Sequence, residues 1–341
     1  MTDQPSLHVA TNDQDHVAAR PRLEYFPISF FASVLGMAGA TIALQRAERF
    51  LGLPFSISGI LLVVSLALFL TIATFYGLKA VRHPDAVRRE FAHPVKINFF
   101  ATLSISLLLF GIAFLRLNSD VSRLFWMAGA ALHIVFTLII LSAWMQRTTV
   151  QIQHINPAWF IPVVGNILVP IAGVEHAPAE VSWFFFSIGL IFWLVLLTIV
   201  LHRIIFYPPL PERLRPTLFI LIAPPAVGFI SYLRLMEHDV SGFTLDGFAR
   251  VLYYVALFLL VLLLAQARHF VTLPFYISWW AYSFPVAAIT IATVLMVSRT
   301  NLWVFQGLAY ALLIGLGALI VVLMFRTTVA IVQRKICVED E

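Results

Sequence analysis

Few residues of this chain could do covalent chemistry, and their spacing does not bring them together. Serines such as Ser104 and Ser106 have no base nearby, and His83, His93 and His154 sit in connecting segments without metal-ligand spacing on one helix. No glycine-rich phosphate loop is present, and the single cysteine, Cys337, closes no internal disulfide and supplies no metal cluster. His133 alone places an ionisable group near the middle of an apolar stretch, where it reads either as a packed, hydrogen-bonded imidazole or as a proton carrier. The expectation is a protein without catalytic residues, metal or cofactor.

Physical chemistry remains, and it concentrates in SWWAYSFPVAAITIAT, which begins at Ser278. Pro285 lacks an N–H, leaves the carbonyl of Ala281 unpaired and biases Phe284 away from helical backbone. A kink there can aim the Phe284 ring at an axis, where a hydrophobic constriction stops ions by dewetting. Phe284 is also one of 30 phenylalanines, and filling space between helices is the competing reading.

The elements that would position such a ring are membrane helices. Hydrophobic residues make up 61% of the 341, with a mean hydropathy of +0.93, well beyond soluble globular composition. Ten apolar stretches of about twenty residues each can cross a hydrocarbon layer about 30 Å thick. They are predicted near 26–46, 56–78, 97–116, 122–145, 157–174, 181–203, 217–236, 248–267, 275–297 and 303–325. Segments this long and continuously apolar satisfy their backbone as helices rather than as a barrel. The fold class expected is all-α integral membrane protein.

The odd stretches share a design. Each opens on a proline followed by aromatic and small residues: FPISFFASVLG, HPVKINFFATL, NPAWFIPVVGN, RPTLFILIAPPAVG and LPFYISWWAYSFP. The leading prolines, Pro27, Pro94, Pro157, Pro216 and Pro274, are spaced by 67, 63, 59 and 58 residues, one helical hairpin per repeat. Deeper prolines at Pro162, Pro170, Pro224, Pro225 and Pro285 also fall only in odd stretches, as helix-kink candidates. The even stretches are nearly pure Leu, Val, Ile and Phe. Broken helices belong against protein or a wet cavity, so the pattern predicts five kinked helices inside five smooth ones, around a pathway within one protomer.

The basic residues report topology. With both termini inside, the inner segments hold 15 of the 22 Lys and Arg and the outer ones 7, as the positive-inside rule requires. This also accounts for a pI near 9.6 without a nucleic-acid partner. Residues 1–24 read as a disordered cytoplasmic tail, 25–326 as the transmembrane domain and 327–341 as a cytoplasmic C-terminal tail. The expected location is the bacterial inner membrane. Arg116 and Arg234, at span ends, read as snorkelling to headgroups.

The segments FPISFFASVLGMA, HPVKINFF, PVVGN, IAPPAVGFISYL and SWWAYSFPVAAITIAT together resemble the tellurite-resistance/dicarboxylate transporter family, which includes bacterial TehA and the slow anion channels of plant guard cells. The resemblance runs from about Phe26 to Phe325. It implies five helical hairpins with quasi-fivefold symmetry around a central pore, a homotrimer in lipid, and conduction of small inorganic anions such as chloride and nitrate. It also implies that the phenylalanine of the SFP segment, Phe284 here, occludes the pore as a gate beside the kink at Pro285. The alternative is a secondary carrier exporting dicarboxylate, sulfite or tellurite, which would be expected to hold a coupling residue at mid-membrane. The odd stretches hold no charge in their middles. Pore-lining candidates are therefore the hydroxyls of Ser29, Ser33, Ser106, Ser283 and Thr290 and the amide of Asn166; Asn98 and Asn166 read equally as links between helices.

Overall fold

A computed structural model describes residues 23–51, 57–147 and 151–337. Among them are ten helices long and apolar enough to cross a membrane, so the chain is a multi-pass membrane protein. These are α1 (Ile28–Phe50), α2 (Ile57–Arg82), α3 (Lys96–Phe114), α4 (Ser119–Gln146), α5 (Pro157–His176), α6 (Ala179–Phe206), α7 (Glu212–Asp239), α8 (Gly247–Ala265), α9 (Ile277–Thr300) and α10 (Trp303–Val332). The expected tail at 1–24 falls mostly outside the described residues. The last helix continues past position 326, because TTVAIV extends its apolar run to Val332.

The odd–even division is physical. Between 72% and 94% of positions in the most apolar window of each odd helix are buried, against 17% to 39% in the even ones. Contacts close the odd helices into a ring: α1 packs against α3 and α9, α3 against α5, α5 against α7, and α7 against α9. Each even helix packs on the odd helix that precedes it, leaving its Leu, Val and Ile side chains facing outward. The inner layer is thus one helix from each of five hairpins.

Every odd helix begins with a 3₁₀ segment, at Ile28–Phe30, Lys96–Phe100, Pro157–Phe160, Glu212–Ile222 and Ile277–Tyr282, before continuing as α-helix. No even helix contains such a segment. In α5 and α7 internal prolines account for the 3₁₀ segments. A proline deprives the carbonyl four residues back of its donor, and a 3₁₀ bond one residue earlier replaces it. Ile161 donates to the Ala158 carbonyl ahead of Pro162, Val169 to Asn166 ahead of Pro170, and Ala223 to Ile220 ahead of Pro224. The interruptions are therefore changes of helix type with their hydrogen bonds largely kept.

Side chains from α4 complete the repair of α5, the most interrupted of the five. Thr137 Oγ1 donates to the Pro162 carbonyl at 2.6 Å, and Trp126 Nε1 donates to the Val169 carbonyl at 2.9 Å. Asn166 Nδ2 donates to Thr137 Oγ1 at 3.0 Å and to the Val163 carbonyl at 2.6 Å. Asn166 is fully buried in this network, and its Nδ2 bonds tie α5 to α4.

Candidate functional site

Two cavities lie end to end inside the ring, and only odd helices line them. The near cavity, where the odd helices begin, is walled by Ala32 and Leu35 of α1 and by Phe99, Thr102 and Ile105 of α3. Further wall comes from Phe160, Ile161, Val164 and Gly165 of α5, Ile220, Ala223 and Pro224 of α7, and Trp280, Ala281 and Pro285 of α9. The far cavity is walled by Gly39, Ile42 and Arg46 of α1, Leu109 and Ile112 of α3, Ile171 of α5, Ile230 of α7, and Ala288 and Ile291 of α9. The space open to the centre of a water molecule is about 70 Å³ in the near cavity and about 30 Å³ in the far one, each above the roughly 10–15 Å³ that one water needs.

Three residues wall both cavities: Leu168, Val227 and Phe284. They stand eleven residues after Pro157, eleven after Pro216 and ten after Pro274, one level of the repeat. Phe284 carries the largest side chain of the three and is half-buried, with a cavity on either side. Facing it on α1 is Gly39, where an added Cβ would lie 3.2 Å from Phe284 Cδ2 and 3.1 Å from the Ala287 Cβ. One helical turn earlier, a Cβ on Gly36 would overlap Ser283 Oγ at 2.0 Å. Two glycines thus let α1 approach α9 closely beside the ring.

The backbone at Phe284 differs from the sequence expectation. Phe284 is helical, inside the α segment Ser283–Thr300, and Pro285 occupies its first turn. There a missing N–H disturbs least. The ring is aimed by the change from 3₁₀ to α-helix at Tyr282–Ser283 rather than by a kink.

The hydroxyl candidates turn away from the axis. Ser33 Oγ donates to the Phe30 carbonyl at 2.7 Å, Ser106 to Thr102 at 2.8 Å, Ser283 to Trp280 at 2.6 Å and Thr290 to Val286 at 2.6 Å. All four are buried, and neither they nor Asn166 wall either cavity. Ser29, half-buried in the opening turn of α1, also lies off both walls. In an apolar interior a hydroxyl is best satisfied by its own helix backbone, which leaves the walls almost wholly apolar. Of the prolines, Pro224 and Pro285 reach the near cavity, whereas Pro162, Pro170 and Pro225 are buried off it. Asn98 is buried and donates to the Pro94 carbonyl at 3.4 Å.

His133 follows the packed reading. Its Nδ1 lies 2.8 Å from Ser104 Oγ, and the imidazole sits behind Gly165, where a Cβ would come within 2.5 Å of Nε2. The charged wall residue that sequence reading missed is Arg46. The signal was available: Leu35, Gly39, Ile42 and Arg46 are spaced by four, three and four, one continuous face of α1.

The chain matches the family described as "Voltage-dependent anion channel" (SLAC1) over residues 25–328. It is 33% identical to the S-type anion channel SLAH3 of Arabidopsis thaliana over 80% of this chain and 43% of that protein. To the guard cell S-type anion channel SLAC1 of the same plant it is 26% identical, over 95% of this chain and 60% of the relative. To the tellurite resistance protein TehA homolog of Haemophilus influenzae it is 24% identical over 83% and 85%. The chain spans about half the length of the plant relatives it matches. A match that runs from the first helix to the last, on a ring of five hairpins, makes this protein a member of the SLAC1 family.

Proposed function

We propose that this protein is a gated channel for small monovalent anions such as chloride and nitrate, that the pathway is the axis of the odd-helix ring, and that Phe284 is its closed gate. The observation that carries the reading is the meeting of two axial cavities at Leu168, Val227 and Phe284, the last an aromatic ring on a level otherwise walled by aliphatic residues. An apolar ring at a narrow point expels water and with it any hydrated ion. The names of the plant relatives support anions as the species carried. The same reading has both termini cytoplasmic, a bacterial inner-membrane location and three copies per assembly.

The test is flux through proteoliposomes. Phe284→Ala should conduct chloride and nitrate where the unaltered protein is quiet, with a reversal potential that follows the permeant anion alone. A current that tracks a second, coupled ion would refute the channel reading in favour of a carrier. An anion-tight Phe284→Ala protein would remove the gate.

A further inference from the structure

Two odd helices carry an arginine, and the turn after a third supplies another, each four residues beyond an isoleucine that walls the far cavity. Arg46 follows Ile42 by four residues on α1, Arg116 follows Ile112 at the end of α3, and Arg234 follows Ile230 on α7. The matching position is Glu175 on α5 and Leu295 on α9. The repeat therefore sets charges around the far mouth at one level.

They do not cancel. Arg234 pairs with Glu175 at 2.7 Å and with Glu237 at 3.9 Å, and Glu237 also pairs with Arg299. The side chains of Arg46 and Arg116 make no ion pair or hydrogen bond among the described residues, and residues 52–56, which lie outside them, include no carboxylate. Arg49, whose Nε donates to the Gln45 carbonyl, adds to the positive field. Arg49, Arg116 and Arg234 all stand near enough to Arg46 to act on it electrostatically. The helix ends make this excess necessary for an anion. The five odd helices run the same way, so their C-terminal ends, each worth about −0.5 charge, gather at the far mouth.

We infer that the far cavity contains a binding site for a small inorganic monovalent anion, with Arg46 as its direct contact and Arg116 strengthening the field. Arg46 walls the axial cavity together with Gly39, Ile42 and Ile230; this places its charge on the pathway rather than on the lipid face. The inference deepens the anion-channel reading and rests on it for the route. Its principal test needs no current.

Chloride NMR line broadening should be measured on purified protein in non-ionic detergent. The unaltered protein should broaden the chloride line, and nitrate should compete. Arg46→Gln should weaken apparent affinity about tenfold, the loss of one charge-assisted contact, while Arg46→Lys retains most of it. Arg116→Gln should weaken it by a smaller factor and serves as the second variant should Arg46→Gln not fold. Broadening unchanged in the glutamine variants overturns the site. Broadening suppressed by added phosphatidylglycerol yet indifferent to Arg46→Gln overturns it too, and assigns the cluster to lipid phosphate. In Phe284→Ala liposomes, Arg46→Gln should raise the half-saturating chloride concentration by the same factor. Binding lost with Arg46→Gln but no current in any variant would leave the site standing and the channel reading refuted.

Discussion

Two chemically identical substitutions separate a gate from a core residue. Phe229 on α7 is 0% exposed, and its ring centroid lies 5.6 Å from that of Tyr253 in a tilted contact inside packed protein. Its replacement by alanine opens a new void among side chains that cannot collapse, and should cost about 3–5 kcal/mol. Phe284 is only half-buried and already has a cavity on each side. Removing its ring enlarges existing space, so the loss is mainly its partial burial. Full burial of a phenylalanine is worth about 1.5–3 kcal/mol, and a ring that is mostly but not fully buried somewhat less, about 1–2.5 kcal/mol. Thermal unfolding in detergent should therefore place Phe284→Ala well above Phe229→Ala, while only Phe284→Ala passes anions in liposomes. A Phe284→Ala protein as destabilised as Phe229→Ala, and still anion-tight, would refute the gate and return Phe284 to the core.

Gly36→Ala should destabilise by about 1–3 kcal/mol through overpacking, because its Cβ would meet Ser283 Oγ at 2.0 Å and Cβ at 2.7 Å. Adding Ser283→Gly should recover most of that loss, and a melting temperature indifferent to the second change would show that the α1–α9 approach is looser than described. At the near side, Lys79 Nζ lies 3.1 Å from Glu90 and donates to the Phe26 carbonyl at 2.8 Å, with the lysine side chain 2% exposed. Glu90→Leu alone should cost about 3–5 kcal/mol by stranding that charge, whereas Lys79→Met with Glu90→Leu should approach unaltered stability in the same melt. For topology, an impermeant thiol reagent should reach Cys337 only after cells are permeabilised; labelling of intact cells would place the C-terminus outside.

Hydrophobic length and proline placement made the helices and their inner and outer layers readable from sequence, because lipid allows few alternatives to an uninterrupted apolar helix. Phe284 stood out because it precedes a proline inside an odd span, although the helix carries that proline in its first turn without the expected kink. The wall was not. Ser33, Ser106, Ser283 and Thr290 stood out as polar groups in odd spans, but each gives its hydroxyl to its own helix backbone, which sequence alone does not reveal. Arg46 escaped notice because it falls in the minority of basic residues outside the positive side, which topology alone treats as exceptions. Leu168 and Val227 carry no chemical mark; only their shared distance from a leading proline distinguishes them.

The aliphatic walls have a further meaning for selectivity. Around Phe284 they offer a passing ion neither donors nor charge, so nothing in this stretch replaces the water an ion sheds. Discrimination there is thermodynamic rather than stereochemical: the anions that cross most easily are those with the weakest grip on their hydration shell. An opened pathway should therefore rank monovalent anions in lyotropic order, nitrate and iodide ahead of chloride and chloride far ahead of fluoride. Past this stretch the anion meets the Arg46 charge of the far cavity, so any pause in its passage should fall there and not beside Phe284.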